Sequence, residues 1–204
     1  MEIDLRTIVA IVALILSVIN MIYVFRRPKL KIIFEDDEPF KKHLWHNRNT
    51  PNRELEIFAR IKVVNKRRKL AKRCTGKITH WLCNDEIVKN FDPIVLHWVS
   101  KEPSDYSEID LAFREFEYLD VFFTLRNQSR IRIYTNTHPR GIQTEFNDKD
   151  KHVFKILIYS ENALPKSKWF KTEFQQTDPL EKLFWISMKE LSRGHAKKYE
   201  KMCN

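Results

Sequence analysis

The chain has 204 residues, of which 37 are Lys or Arg and 27 are Asp or Glu, so its formal net charge is +10. With 43% hydrophobic and 12% aromatic residues and only 3 Gly, it is too apolar for intrinsic disorder and too poor in Gly for a low-complexity or collagen-like chain. The length suits one domain with a short appendage. Its 3 cysteines exclude a disulfide-stapled secreted mini-domain.

An apolar run, Ile8 to Phe25, is the first element of the chain and contains no charged side chain. At about 1.5 Å rise per residue, a helix over this run would span roughly 27 Å, close to the hydrocarbon thickness of a bilayer. We therefore predict a single membrane-spanning helix inside an N-terminal anchor of residues 1–28, with Tyr23 near the membrane interface.

A cleaved signal peptide and a buried core helix are the two alternatives to a retained anchor. A signal peptide needs a basic start and a small-residue cleavage site, whereas Glu2 and Asp4 precede this run and no Ala-x-Ala follows it. A core helix normally carries a polar stripe, which this run lacks. Both patterns favour the membrane helix.

Positive charge is concentrated after the apolar run, at Arg26, Arg27, Lys29 and Lys31, and only Arg6 and the terminal amine precede it. Because positively charged flanks stay on the cytoplasmic side of a membrane, we predict a single-pass protein of the cell membrane with its N-terminus outside and the rest of the chain cytoplasmic. An odd number of cysteines fits a reducing compartment.

Short runs rich in β-branched and aromatic residues fill residues 29–176, each bounded by charged or turn-forming residues. In Leu55 to Val64, apolar side chains alternate with charged ones such as Arg60, which is typical of a strand with one buried face. In Val153 to Tyr159 both faces are apolar, which predicts a central strand. The pattern predicts a mainly β domain, an antiparallel β-sandwich. The runs are Leu30 to Phe34, Leu55 to Val64, Lys77 to Leu82, Ile94 to Val99, Tyr118 to Leu125, Ile131 to Tyr134, Val153 to Tyr159 and Trp169 to Phe174.

Residues 177–204 change character and predict a C-terminal amphipathic helix with a basic tail. Thr177 and Asp178 offer a cap, and Pro179 suits the first helical position. We expect this helix to pack on the sandwich or to lie on the membrane, with Gly194 ending or weakening its regular part. Apolar residues recur at helical spacings at Leu180, Leu183, Phe184, Met188 and Leu191.

A dense cluster of cations separates two of the predicted strands, and three interpretations compete for it. It is a solvated hairpin loop, a surface for anionic lipid headgroups or an acidic protein partner, or a nucleic-acid site. The anchor holds the cluster near the cytoplasmic leaflet, where each basic residue is worth about 1 kcal/mol. The chain carries no recognisable RNA-binding signature or zinc-finger spacing, which disfavours nucleic acid. The cluster consists of Lys66, Arg67, Arg68, Lys69, Lys72 and Arg73.

Motifs for catalysis or cofactor binding are missing from the sequence. It has no Gly-rich phosphate loop, no G-x-S-x-G and no H-E-x-x-H, so we expect no catalytic residue and no cofactor. Cys74, His80, Cys83 and His97 lie on or beside neighbouring predicted strands, but without a C-x-x-C pair. We therefore predict no metal site, with Cys74 and Cys83 as small buried hydrophobes.

Five carboxylates lie between residues 108 and 120, and such a cluster could provide a paired acid-base site. Asp120 is out of phase with its apolar neighbours Leu119 and Val121, so we predict that it faces solvent or bonds a turn. The acids are then a strand-edge cluster rather than a catalytic pair. They are Glu108, Asp110, Glu115, Glu117 and Asp120.

A family resemblance covers roughly residues 55 to 160. The carrying segments are Val63 to Asn65, Ala71-Lys72-x-Cys74-x-Gly76-x-Ile78, Leu96 to Trp98, Ile109 to Leu111, Glu117 and Leu119 to Phe122. This pattern resembles the immunoglobulin-like β-sandwich modules of archaeal and bacterial single-pass membrane proteins, although Lys66 and Arg67 replace the usual turn Gly. The resemblance implies the fold and membrane attachment, and it brings no activity or site residue.

The sequence therefore predicts a membrane-anchored β-sandwich that binds another macromolecule or the membrane surface without catalysis. One alternative is an outward-facing envelope module with the same fold. The other is an unrecognised enzyme, which a pocket centred on His97 or on a strongly perturbed carboxylate would favour.

Overall fold

The computed structural model describes residues 4–35, 40–46, 54–89, 92–125, 130–133, 135, 145–147, 150–178 and 183–203. Over these residues the protein is mainly β, with two antiparallel sheets and two helices. The helices are α1 (Leu5–Arg26) and α2 (Arg193–Cys203). The strands are β1 (Leu30–Ile33), β2 (Lys41–His46), β3 (Glu54–Asn65), β4 (Ala71–Cys83), β5 (Glu86–Ile87), β6 (Ile94–Val95), β7 (His97–Trp98), β8 (Ile109–Leu111), β9 (Phe116–Leu125), β10 (Arg130–Ile133), β11 (Glu145–Asn147), β12 (His152–Tyr159), β13 (Lys166–Asp178) and β14 (Leu183–Glu190).

Two sheets share the strands equally, with 7 in each across the described chain. The first sheet has the order β1-β3-β9-β10-β11, and β2 and β7 pair with β3 and β9. The second has the order β14-β13-β12-β4-β5, and β6 and β8 pair with β4. Seven of the eight predicted β runs fall on single strands, whereas Ile94 to Val99 is divided between β6 of the second sheet and β7 of the first. Strand β12 is central, between β13 and β4. The prediction of a mainly β chain with antiparallel sheets is confirmed.

The core lies between the two sheets and is built from aromatic side chains of both. Phe122 of β9 packs edge-on against Trp81 of β4 and Phe154 of β12, with ring centroids 5.9 and 4.9 Å away. Gly76 of β4 lies against Leu119 of β9, and an added Cβ would run into Cδ1 of Leu119. A larger residue at this position would therefore require the buried Leu119 side chain to move.

The predicted C-terminal helix is wrong over residues 183–190, which form the strand β14. β14 pairs with β13 from Phe170 opposite Glu190 to Asp178 opposite Leu183, and Met188 is buried in the core. The spacing of the apolar residues fits either a helix face or an alternating strand, and the hydrogen bonds of β13 decide for the strand. Pro179 and Leu180 lie outside the described residues.

Helix α2 is therefore shorter than predicted and begins only after Ser192. Gly194 is its second residue and does not end it. Tyr199 is buried against Leu82, Val153 and Trp169 on the outer face of the second sheet, so the helix packs on the sheet.

Helix α1 has 22 residues, and its apolar side chains are exposed, from 43% at Val18 to 65% at Leu14. Side chains are described from Arg6 to Ile22 and at Arg26. Across the described part of the chain, no helix is long and apolar enough to cross a membrane, and the predicted span is unsupported.

Candidate functional site

Residues 66–70, which carry four of the clustered cations, connect β3 in the first sheet to β4 in the second. This connection, the crossover, is therefore not a hairpin loop. Asn65, the last residue of β3, is fully buried, and its side chain holds the backbone of the crossover. Its Nδ2 donates to the carbonyl oxygens of Lys69 (2.7 Å) and Leu111 (2.9 Å), and its Oδ1 accepts from the amide of Arg67 (3.1 Å). One amide side chain therefore holds both the crossover and the end of β8.

Two further sets of hydrogen bonds hold the crossover. The amide of Lys66 donates to the carbonyl of Lys29, between α1 and β1 (2.8 Å). On the other side, Asn162 of the β12–β13 turn donates to the carbonyl of Leu70 (2.9 Å) and accepts from the amide of Lys72 (3.0 Å). These bonds hold the backbone that carries the basic side chains.

A cleft of about 530 Å³ opens where the crossover meets the end of α1. The described residues that line it are all cations: Arg26, Arg67, Arg68 and Lys69. Arg26 is the last residue of α1, and the Arg67 guanidinium reaches to 3.5 Å from the carbonyl oxygen of Arg27. Such a concentration of positive charge attracts anions, and guanidinium groups bind phosphate or carboxylate oxygens in pairs. The described lining of the cleft is therefore positively charged.

The six cations predicted as one surface are divided by the structure. Arg67, Arg68 and Lys69 line the cleft, and Lys66 lies in the same crossover. Lys72 and Arg73 belong to β4, outside the residues described as lining the cleft.

Arg73 forms a surface ion pair, with its Nε 2.5 Å from Oε2 of Glu108. The hydrogen bond and the charge of Glu108 raise the pKa of Arg73 above its ordinary value. Its backbone amide donates to Asp110, so two acids of the predicted strand-edge cluster serve to fix β4.

Arg26 is the lining residue that sequence reasoning assigned only to the anchor. Its position among the cations after the apolar run was the available signal. No pattern in the sequence predicts that Arg26 lies beside Arg67 and its neighbours, which are about 40 residues further along the chain.

The prediction that Asp120 faces solvent or bonds a turn is wrong, because Asp120 is only 4% exposed. Its Oδ1 lies 2.6 Å from Nε of Arg60, and its Oδ2 lies 3.6 Å from Nδ1 of His97. The four residues from Leu119 to Phe122 are all buried, since both faces of β9 are covered here. A register shift between β3 and β9 at Ala59 also interrupts the alternation.

His97 joins this buried pair, and its Nε2 lies 2.8 Å from the carbonyl oxygen of Glu102. Burial alone would lower the pKa of His97, but the neighbouring Asp120 carboxylate and the hydrogen bond to the carbonyl of Glu102 outweigh burial and raise it. The side chains of Arg60 and Asp120 are closed off from solvent. This burial disfavours an enzyme centred on His97.

Cys83, Asp150 and His152 form a cluster with metal-ligand chemistry, their ligand atoms within 4.8 Å of one another. Cys83 and His152 are cross-strand partners in the β4–β12 pair. Trp81 donates from Nε1 to Nδ1 of His152 (3.3 Å), so a neutral His152 carries its proton on Nε2 and keeps no lone pair for a metal. Burial also raises the pKa of the Cys83 thiol, which disfavours the thiolate that a metal binds.

Cys74 is fully buried in the core, as predicted, and burial raises the pKa of its thiol to about 11. Cys83 is only half-buried.

Fold and site together define a mainly β protein of two packed antiparallel sheets, with a basic cleft at one end beside an exposed apolar helix. Comparisons with protein-family models, curated proteins and solved structures found no match to this chain. We therefore infer a function from the residues of the cleft and from the surface of α1.

Proposed function

We propose that this chain is a single-pass, membrane-anchored β-sandwich binding module whose basic cleft holds anionic lipid headgroups of the membrane that contains α1. One observation carries the proposal: the exposed apolar helix ends in the cleft, because Arg26 is both its last residue and a lining residue. Headgroups lie at the same depth as the end of a spanning helix, so the cleft and its ligand would be brought together by the anchor.

The membrane part of the proposal is supported by the surface of α1. The apolar side chains that the structure describes, from Ile8 to Ile22, are exposed on all sides of the helix, and such a surface is stable only when lipid or protein covers it. The helical backbone continues to Arg26, and the apolar sequence from Ile8 to Phe25 corresponds to roughly 27 Å, the thickness of a bilayer core. Lipid is therefore the occupant that we assign to this surface.

The headgroup part is supported by the composition of the cleft. Three of its four described lining residues are arginines, whose planar guanidinium groups fit phosphate oxygens better than a lysine ammonium does. Each basic residue near an anionic leaflet contributes about 1 kcal/mol of binding. An acidic protein partner would use the same charges, and the experiment below separates it from lipid.

The proposal also includes the orientation of the chain in the membrane. The basic residues after α1 favour a cytoplasmic sandwich with the N-terminus outside. The alternative is an outward-facing envelope module with the same fold. The likeness to immunoglobulin-like modules stays a prediction.

Replacing Arg67, Arg68 and Lys69 with Ser tests the cleft in the full chain reconstituted into vesicles. Energy transfer from the tryptophans to a labelled anionic lipid measures how strongly that lipid is enriched around the protein. We expect the enrichment to be lost in this variant and, in the wild type, to weaken as the Debye length falls from about 30 Å to about 8 Å. Arg68 and Lys69 are exposed, whereas Arg67 is half-buried and contacts the carbonyl of Arg27, so we expect the unfolding free energy to fall by about 1–2 kcal/mol at most.

A matched control replaces three exposed cations of α2, Lys197, Lys198 and Lys201, with Ser, which removes the same charge away from the cleft. This control should keep the enrichment. Equal enrichment in wild type and cleft variant would refute the headgroup site. If the cleft variant instead loses only the binding of polyglutamate, the partner is an acidic protein.

A further inference from the structure

We propose that the basic crossover and the two turns bonded to it form an apolar rim that inserts into the lipid interface, so that the sandwich stands on the membrane on its α1 end. The apolar rim is defined as Leu70, Phe113 and Leu164. The proposal rests on the proposed function for the anchor, and it adds a second membrane-contacting surface to it.

Each rim residue is a large apolar side chain that the fold leaves exposed. Leu70 is 38% exposed in the crossover, Phe113 39% in the β8–β9 turn and Leu164 50% in the β12–β13 turn. The turns belong to three separate stretches of sequence. The topology brings them to one end of the sheets, because β3, β8 and β12 all finish there.

Hydrogen bonds tie the three turns into one surface. Asn65 donates to the carbonyls of Lys69 and Leu111 and accepts at its own carbonyl from the amide of Arg114 (2.8 Å). Asn162 donates to the carbonyl of Leu70 itself. Every rim residue is therefore within two positions of a bond that joins its turn to a neighbour.

Cations lie directly beside the apolar rim. The guanidinium of Arg114 is 5.0 Å from the ring centroid of Phe113, and the ammonium of Lys62 is 3.6 Å from that of the half-exposed Phe116. Apolar side chains flanked by Lys and Arg are the composition of surfaces that bind at the lipid interface, where the apolar parts enter the acyl boundary and the cations pair with headgroups. Because the basic crossover is one of the three turns, this end of the sheets has that composition.

The far end of the second sheet differs in kind. Its β4–β5 turn presents the carboxylate of Asp85, which accepts from Lys151 (2.8 Å) and from the Tyr199 hydroxyl (2.8 Å). Ile87 is an exposed apolar residue there, at 39%. Because β4 has 13 residues, roughly 40 Å separates this end from the crossover. Ile87 is thus a control with the same exposure as Phe113 and no expected lipid contact.

The test places one fluorescent label at a time on the full chain in vesicles. Cys83→Ser and Cys203→Ser remove the half-buried thiols, and the deeply buried Cys74, with its raised pKa, stays unreactive. Phe113→Cys, Leu164→Cys and Ile87→Cys then accept a polarity-sensitive dye. Quenching by nitroxide attached to lipid and by iodide in water reports which side each label contacts.

We expect labels at Phe113 and Leu164 to be blue-shifted and quenched several-fold more by lipid nitroxide than the label at Ile87, most strongly in anionic vesicles. If all three labels are quenched alike by iodide while the chain still resists carbonate extraction, the rim is refuted and the anchor stands. Release of the chain by carbonate refutes the anchor and the rim together. Circular dichroism of each variant confirms that it is folded.

Discussion

The side chain of Asp120 shows how one buried charge organises several strands. It accepts from Arg60 across the β3–β9 pair and faces His97, which is its cross-strand partner in the β7–β9 pair. Removing two charges from water costs several kcal/mol per ion, so the pair is stable only with close geometry and further hydrogen bonds. His97 lies beside the pair and is itself held by a hydrogen bond to the carbonyl of Glu102.

His97 gives stability a defined dependence on pH. The neighbouring Asp120 carboxylate and the hydrogen bond to Glu102 raise its folded pKa above the unfolded value near 6.5, so its contribution is fully present below pH 6.5 and is lost as pH rises through the folded value. We expect the unfolding free energy from urea titrations to decrease through this group as the pH rises above about 6.5.

The variant His97→Gln isolates the effect, because other groups titrate alike in both proteins. His80, whose pKa is lowered by burial and by Lys155, acts in the opposite direction and remains in the variant. A wild-type and variant pair with the same pH slope would contradict this role of His97.

Among the elements, β14 and α2 are where tertiary contacts decide the structure. A single apolar segment is divided into a strand that continues the second sheet and a helix that returns over its outer face. Ser192 separates them, and its carbonyl accepts from the amide of Ala196 (2.9 Å) to start the helix. Without β13 beside it, Leu183–Glu190 has no partner for its backbone groups as a strand.

Tyr199 anchors α2 and carries the prediction at this scale. Its ring packs on Trp169, with centroids 5.8 Å apart, and its hydroxyl donates to Asp85 (2.8 Å). Tyr199→Ala should lower the unfolding free energy by about 3 kcal/mol through lost packing, and Tyr199→Phe by about 1 kcal/mol through the lost hydrogen bond.

The half-exposed Met202 on the same helix is the matched position. Met202→Ala should change stability by less than about 0.5 kcal/mol. Chemical denaturation of the three variants in one membrane mimetic measures these differences. A loss for Met202→Ala as large as for Tyr199→Ala would mean that helix propensity, not docking, stabilises α2.

At the scale of the whole molecule, hydrogen bonds connect the end of α1 to the turns that carry the apolar rim. Lys66 is bonded to Lys29, and Asn65 and Asn162 join the crossover to the β8–β9 and β12–β13 turns. The far end of the second sheet carries the network of Asp85, Lys151 and Tyr199. In the arrangement that we propose, the end with the crossover faces the membrane.

The anchored arrangement predicts that the full chain stays in the membrane pellet after alkaline carbonate treatment. A variant with Leu14→Arg and Ile15→Arg should be released, since a charge at the helix centre costs about 2.5–3.5 kcal/mol for insertion. In intact cells, added protease should leave the sandwich uncut if it is cytoplasmic. Digestion from outside would support the outward-facing alternative.

Local pattern alone was sufficient for most of the strands and for the composition of the basic crossover. Alternation in β3 predicted the burial of Ala59, Ile61 and Val63, but the prediction of one buried face is wrong, because Phe58, Arg60 and Val64 on the other face are buried too. The double-sided apolarity of β12 predicted its central place. These properties are readable because a strand's side chains alternate between its two faces whatever the strand pairs with.

Only the tertiary structure decided the identity of β14, the burial of Asp120 and the membership of Arg26 in the cleft. The apolar residues of Leu183–Glu190 fit both a helix and a strand until β13 pairs with them. Asp120 is covered by β7, which is distant from it in sequence and leaves no mark on the pattern of β9. Arg26 meets Arg67 because the end of α1 and the crossover are joined through Lys29 and Lys66. Periodicity reports the faces of one segment, whereas the partner on each face depends on how the whole chain is connected.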